Sequence, residues 1–124
     1  MAKDILTGNC EGEKNKHRGW ITGHFIDKSS PLHTQDLEIK WGEHKKGEAK
    51  ENPAANNQSK TLAILIYGQF QFDFPNDKKQ IVLNKKGDYV FFNAKINHSW
   101  QCLKNSLVLT IRWPSLPNDQ KISK

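Results

Sequence analysis

With 124 residues and a formal charge of +6, the chain has the length of one domain and is too short for two. Hydrophobic residues make up 35% and charged residues 26%, and six Phe, four Trp and two Tyr offer large surfaces to bury, which excludes a disordered chain. Of the 19 basic residues 17 are Lys, in doublets such as Lys45-Lys46, Lys78-Lys79 and Lys85-Lys86 beside Gly, Asn or Asp. That pattern reads as a solvated surface; a nucleic-acid footprint needs clustered Arg with aromatics interleaved. Cys10 and Cys102 are too few and too far apart for a disulfide framework and read as reduced thiols. The longest apolar run, residues 62–67, is far short of a membrane span, and residues 2–7 do not read as a signal peptide. These features predict a cytoplasmic protein that uses neither nucleic acid nor membrane as a partner.

Residues 1–16 are polar and read as a loose N-terminal arm. The stretch 17–26 mixes aromatic and β-branched residues and predicts a first strand, broken by Pro31. Leu37, Ile39 and Trp41 alternate with polar residues as in a half-buried strand. Residues 42–59 are amide-rich, charged and small, and predict a long functional loop. Two apolar triplets follow, Leu62/Ile64/Ile66 and Phe70/Phe72/Phe74, with Gly68 between them to supply a bend. Strands are predicted at 80–83, 89–92, 99–103 and 107–113, with turns at 75–79, 84–88 and 104–105. Residues 114–124 read as a polar tail, at most a short helical turn. Short strands with frequent turns predict an all-β sandwich or barrel.

Two stretches carry a more specific pattern. Gly87 and His98 keep the spacing of a motif that reads Gly, five residues, Pro, one residue, Gly, two residues, His, three residues, Asn; Asn93, Lys95 and Cys102 stand at its other three positions. Gly68 ends a second motif, which would place a Glu at Thr61 and two His near Ala54 and Asn56. Together these resemble the two motifs of the cupin superfamily over residues 37–113. Lys40-Trp41-Gly42, His44 and the run Arg112-Trp113-Pro114-Ser115 are similar to small single-domain cupins of uncharacterised function. The resemblance implies a double-stranded β-helix, a jelly-roll barrel of about 8–10 short strands, with a degenerate metal motif in which His98 alone keeps its ligand type.

The residues then suggest three functions. In the first, a barrel without the usual metal binds a polar or anionic small molecule through Thr61, His98, Trp100 and Arg112, with Trp41 and His44 near the mouth; an inward Arg112 needs a carboxylate or an anionic ligand. In the second, the chain is an enzyme. His98 would serve as an acid–base group in isomerase- or epimerase-like chemistry, or His44, Glu48 and His98 would rebuild a divalent-metal site for an oxygenase or lyase. In the third, a filled barrel serves structure or regulation. No cofactor is expected in the first. An N-terminal strand carrying Trp20, Phe25 and Ile26 would cover a sheet edge of its own subunit or of a partner, predicting a homodimer.

Overall fold

Residues 4–122 are described by the computed structural model. The first element is a helical turn, α1 (Cys10–Glu13), whose exposed donors are met by Asn9, the side chain of which accepts from Gly12 N. Strands follow: β1 (Trp20–Thr22), β2 (Glu38–His44), β3 (Ala49–Asn56) and β4 (Lys60–Phe74). A 3-10 turn, Pro75–Asp77, leads to β5 (Lys79–Leu83), β6 (Tyr89–Phe92), β7 (His98–Trp113) and β8 (Gln120–Ile122).

Every strand pairing is antiparallel, and β4 and β7 each serve two sheets. The second half of β7 lies between β2 and the first half of β4, with β1 and β6 outside them. The first half of β7 lies between β3 and the second half of β4, with β8 and β5 outside. The two five-stranded halves enclose a core of Ala63, Leu65, Phe70, Phe72, Phe74, Leu83, Phe92, Cys102 and Val108. Aromatic rings hold its lower part together: Phe70–Phe72 and Phe74–Phe92 centroids both lie 5.3 Å apart.

One break in alternation makes this possible. Before Gly68 the odd positions Thr61, Ala63 and Leu65 face inward; after it the even positions Phe70, Phe72 and Phe74 do. The pairing of β4 with β7 slips between Leu65 and Phe70, and Gly68 takes φ +101 in that slip. Its backbone presses against β7: a Cβ at Gly68 would fall 2.6 Å from Ser106 Cα and closer still to the Asn105 carbonyl. Fully buried Ser106 seals the slip, accepting from Gln69 N at 3.0 Å.

Several expected elements differ. The predicted loop 42–59 contains β3, because Lys50, Ala54 and Asn56 find partners in β7 and β8; Pro53 falls where the β3–β7 register breaks, so its missing N–H costs no ladder bond. The strands predicted at 99–103 and 107–113 are one strand, since Ser106 carries the chain through the expected turn. Of the stretch 17–26 only Trp20–Thr22 is strand, and it pairs with β2 of the same chain. The tail is not helical: β8 adds to β3, and Asp119 accepts from Gln58 N and Ser59 N, both at 3.0 Å, to lock it there. The N-terminal arm is anchored from α1 onward, where Trp41 Nε1 donates to Glu11 and Lys14 pairs with Glu43. Both cysteines are free thiols. No helix of the described residues is long and apolar enough to cross a membrane.

The Gly68 contact yields a direct test. Gly68→Ala should lower unfolding free energy by about 3 kcal/mol or more, since the left-handed backbone and two backbone clashes act together. Gly87→Ala, at φ +93 with nothing within 4 Å of a Cβ, should cost only about 1 kcal/mol. Equal losses in urea denaturation of the two variants would remove the crossing contact as the cause.

Candidate functional site

The two halves of the barrel enclose a cavity of about 60 Å³. Its walls come from five strands: Lys40 and His44 of β2, Lys50 of β3, Thr61, Ala63, Phe70 and Phe72 of β4, Phe92 of β6, and His98, Trp100, Val108, Thr110 and Arg112 of β7. On β7 all the lining residues are even-numbered, so a single alternation delivers both His98 and Arg112 to the interior. Register then sets the neighbours: Thr61 lies opposite Arg112, Lys50 opposite Trp100, and Ala54 opposite His98.

His98 is 4% exposed and packs on Phe92 with ring centroids 4.5 Å apart. Its Nδ1 lies 3.0 Å from the Ile96 carbonyl, which can only accept, so Nδ1 carries the proton and Nε2 the lone pair. Burial lowers its pKa to about 4; the Ile96 bond opposes this, and the nearby Lys50 and Arg112 add to it. At neutral pH the ring is therefore uncharged. His44 is also held below its ordinary value, by burial first and then by the charge of Lys40, while its hydrogen bond with Glu48 works the other way. Its ring lies 4.6 Å from that of Trp100 and 5.2 Å from that of Phe70.

Arg112 stands in the partition between this cavity and an outer cleft of about 460 Å³, which Trp20, His24, Phe25, Glu38 and Asp119 also border. Its Nη1 reaches Glu38 Oε2 at 3.4 Å, and the guanidinium lies 5.1 Å from the Trp20 ring. Glu38 is itself held: Ser115 Oγ donates to Oε1 at 2.7 Å, and that hydroxyl accepts from His24 N at 2.9 Å. Two buried polar atoms among the described residues lack any hydrogen-bond partner in the protein, Thr61 Oγ1 and Arg112 Nε. Thr61 is 3% exposed.

The structure thus brings Thr61, His98, Trp100, Arg112 and His44 to one cavity and leaves Trp41 out. Trp41 does not line the cavity; it borders a groove of about 330 Å³ that Lys40 and His44 also border, so it stands beside the cavity and not in its wall. Ile39 and Trp41 are therefore not on the cavity face of β2; Lys40 and His44 are, although all four are half-buried and only Glu38 and Gly42 of this strand are fully buried. The trio His44, Glu48 and His98 does not assemble: Glu48 bonds His44 Nδ1 at 3.1 Å, and no cluster of three His, Cys, Asp or Glu suited to a metal ion exists among the described residues. Lys40 and Lys50 were missed. Lys40 shares its strand parity with His44, four residues on, but in a Lys-rich chain that parity alone does not separate an inward lysine from a surface one.

The fold family implies a divalent metal in this cavity, and the residues do not fit one. Among the described residues no Asp, Glu or Cys lines it, whereas Lys40, Lys50 and Arg112 do. A cation would meet like charge and at most two imidazoles, short of the three protein ligands a firm site requires.

No family model matches the chain, and no curated protein does. Solved structures do match. An uncharacterised protein with a double-stranded β-helix domain from Klebsiella pneumoniae aligns with a TM-score of 0.62 at 14% identity, over 76% of this chain and 80% of that one. KdgF from Halomonas sp. aligns with a TM-score of 0.58 at 18% identity, over 69% and 76%. The DMSP lyase DddQ from Ruegeria pomeroyi aligns with a TM-score of 0.61 at 15% identity, over 79% of this chain but only 48% of the lyase. Strand order, the shared strands β4 and β7 and these neighbours agree: the chain has a double-stranded β-helix fold.

Proposed function

We propose that the chain is a small-molecule-binding protein whose barrel cavity is the pocket and whose ligand is held by side chains without a divalent metal. One observation carries this reading: Thr61 Oγ1 and Arg112 Nε, on two residues that line the cavity, are buried with no partner in the protein. A buried donor left unmatched costs about 1–3 kcal/mol, so two in one small space suggest groups kept for a visitor. Phe70, Phe72, Phe92 and Trp100 supply the apolar wall that such pockets combine with a few convergent polar atoms.

A second reading, an enzyme using His98 as a base, has one observation in its favour. The neutral ring keeps its Nε2 lone pair at physiological pH, and a DMSP lyase shares the fold. The low pKa of His98 counts against strong proton abstraction, because a base effective near neutrality is tuned close to pH 7.

Two measurements check the binding reading. Thr61→Val, nearly isosteric, should raise the unfolding free energy by about 1 kcal/mol, because an unmatched hydroxyl is removed from the interior. A loss of stability would mean that the hydroxyl is satisfied within the protein. Protein purified without added metal should hold transition metal well below one equivalent, and EDTA should leave its thermal midpoint in place; a stoichiometric ion whose removal lowers the midpoint would falsify the metal-free pocket.

His98 also sets a pH dependence. Its folded pKa of about 4 lies below the ordinary 6.5, so the unfolded chain takes up the proton first. The stabilisation is complete above about pH 6.5 and is withdrawn as pH falls towards 4, by about 3 kcal/mol in all. NMR titration should find the His98 ring still neutral at pH 5.5, and His98→Asn should flatten the fall in stability over that window. A His98 midpoint near 6.5 would place the ring in water.

A further inference from the structure

Three cationic side chains meet where the fold family would hold a metal. Lys40, Lys50 and Arg112 come from different strands and border the same 60 Å³ space as Thr61. Among the described residues no carboxylate residue borders that space, and the charges of Glu48 on Lys40 and of Asp119 on Arg112 act from outside it. Glu38, which takes one end of Arg112, borders the outer cleft and not this space. Lys50 Nζ donates to the neutral Gln120 Oε1 at 2.9 Å, and Lys40 Nζ lies 5.8 Å from the Trp20 ring. Among the described residues neither lysine forms an ion pair.

Like charges drawn together in a poorly solvated space repel, and each resists desolvation. Burial, joined by the charge of Arg112, accordingly holds both lysines below their usual pKa. A filled structural barrel would be more stable with apolar side chains at these positions. The arrangement makes sense with an anion between the cations. The space equals about two water volumes, enough for one compact charged head and little more. Arg112 Nε–H and the Thr61 hydroxyl supply directed donors, the two ammonium groups supply charge, and His98 Nε2 supplies an acceptor for a protonated oxygen or hydroxyl on the same ligand.

We propose that the cavity is an oxyanion site that binds a carboxylate or phosphate group through Lys40, Lys50, Arg112 Nε and Thr61. This rests on the pocket reading above and specifies its ligand class. The cavity faces of β2, β3, β4 and β7 supply the contacts, so the site forms within one chain.

The test uses the full chain at constant ionic strength with four probes: acetate, inorganic phosphate, the neutral acetamide and chloride. Acetate or phosphate should raise the thermal midpoint saturably and shift the Arg112 Nε–H and Thr61 resonances, and the tighter of the two identifies the source of the oxyanion. Acetamide and chloride should do neither. Lys40→Met and Lys50→Met should each raise the midpoint of the ligand-free protein and weaken the bound oxyanion at least tenfold. If acetamide shifts the same resonances as strongly as acetate, the oxyanion class is wrong and the pocket stands. If no probe moves them and only ordered water fills the cavity in a high-resolution map, both fall. Methionine variants that bind oxyanion unchanged, or that lose stability unliganded, would assign the lysines a structural role and overturn the proposal. The wild-type resonances decide the matter even where a variant does not fold.

Discussion

The passage of Gly68 against Ser106 is the contact on which the interior depends. Strand β4 must contribute to both halves of the barrel, and a regular strand turns the same parity inward along its whole length. With Thr61, Ala63 and Leu65 inward, an unbroken alternation would bring Gln69, Gln71 and Asp73 to the core and push three Phe outward. The slip at Gly68 exchanges the parity, and only a residue without Cβ can pass Asn105 and Ser106 at that distance. Thr61 and Phe72 therefore line one cavity although they lie on opposite sides of the bend.

Rigidity around that cavity follows from a chain of hydrogen bonds outside it. His24 N donates to Ser115 Oγ, Ser115 donates to Glu38, and Glu38 holds Nη1 of Arg112. With Nη1 fixed on Glu38 and Trp20 beside the guanidinium, Nε is left buried without a protein partner. A donor held in this way loses little freedom on meeting a ligand, which is where preorganised sites gain affinity. Glu38 neutralises part of the guanidinium charge, so a ligand at Nε would meet a directed donor supported by two ammonium groups.

Much of the fold was legible because it rests on local patterning. The triplets around Gly68, the turns at 84–88 and the apolar run 107–113 announce strands directly. The Gly87/His98 spacing, with Gly68 before it, carried the barrel assignment. What the sequence hid were strands whose sides are both polar or small. In β3, residues such as Ala54, Ala55 and Asn56 have no apolar alternation to announce them, and their pairing depends on β7 and β8 at distant positions. Strand β8 is three exposed residues held by Asp119, a side chain whose partners lie some 60 positions earlier. Of the cavity, His98, Trp100 and Arg112 could be read from strand parity and Thr61 from its spacing to Gly68, although the apolar series Leu62/Ile64/Ile66 pointed to the opposite face. Lys40 and Lys50 could not: a lysine in a Lys-rich chain reads as surface until tertiary structure shows which side of its strand is covered.

The vacant ligand positions and the gathered cations are two aspects of one change. By resemblance, Thr61 stands where a metal-binding relative would hold Glu, and Ala54 and Asn56 where it would hold His. Removing those ligands leaves a cavity unable to grip a cation, but by itself only a neutral one. Lys40, Lys50 and Arg112 add positive charge to the same space, and the neutral His98 keeps a lone pair there without contributing a charge of its own. Simple decay of a metal site offers no reason for charge to accumulate in the interior, since apolar replacements at Lys40 or Lys50 would relieve desolvation at once. Cations converging from three separate strands on one buried space therefore argue for recognition of an anion over the mere loss of a metal.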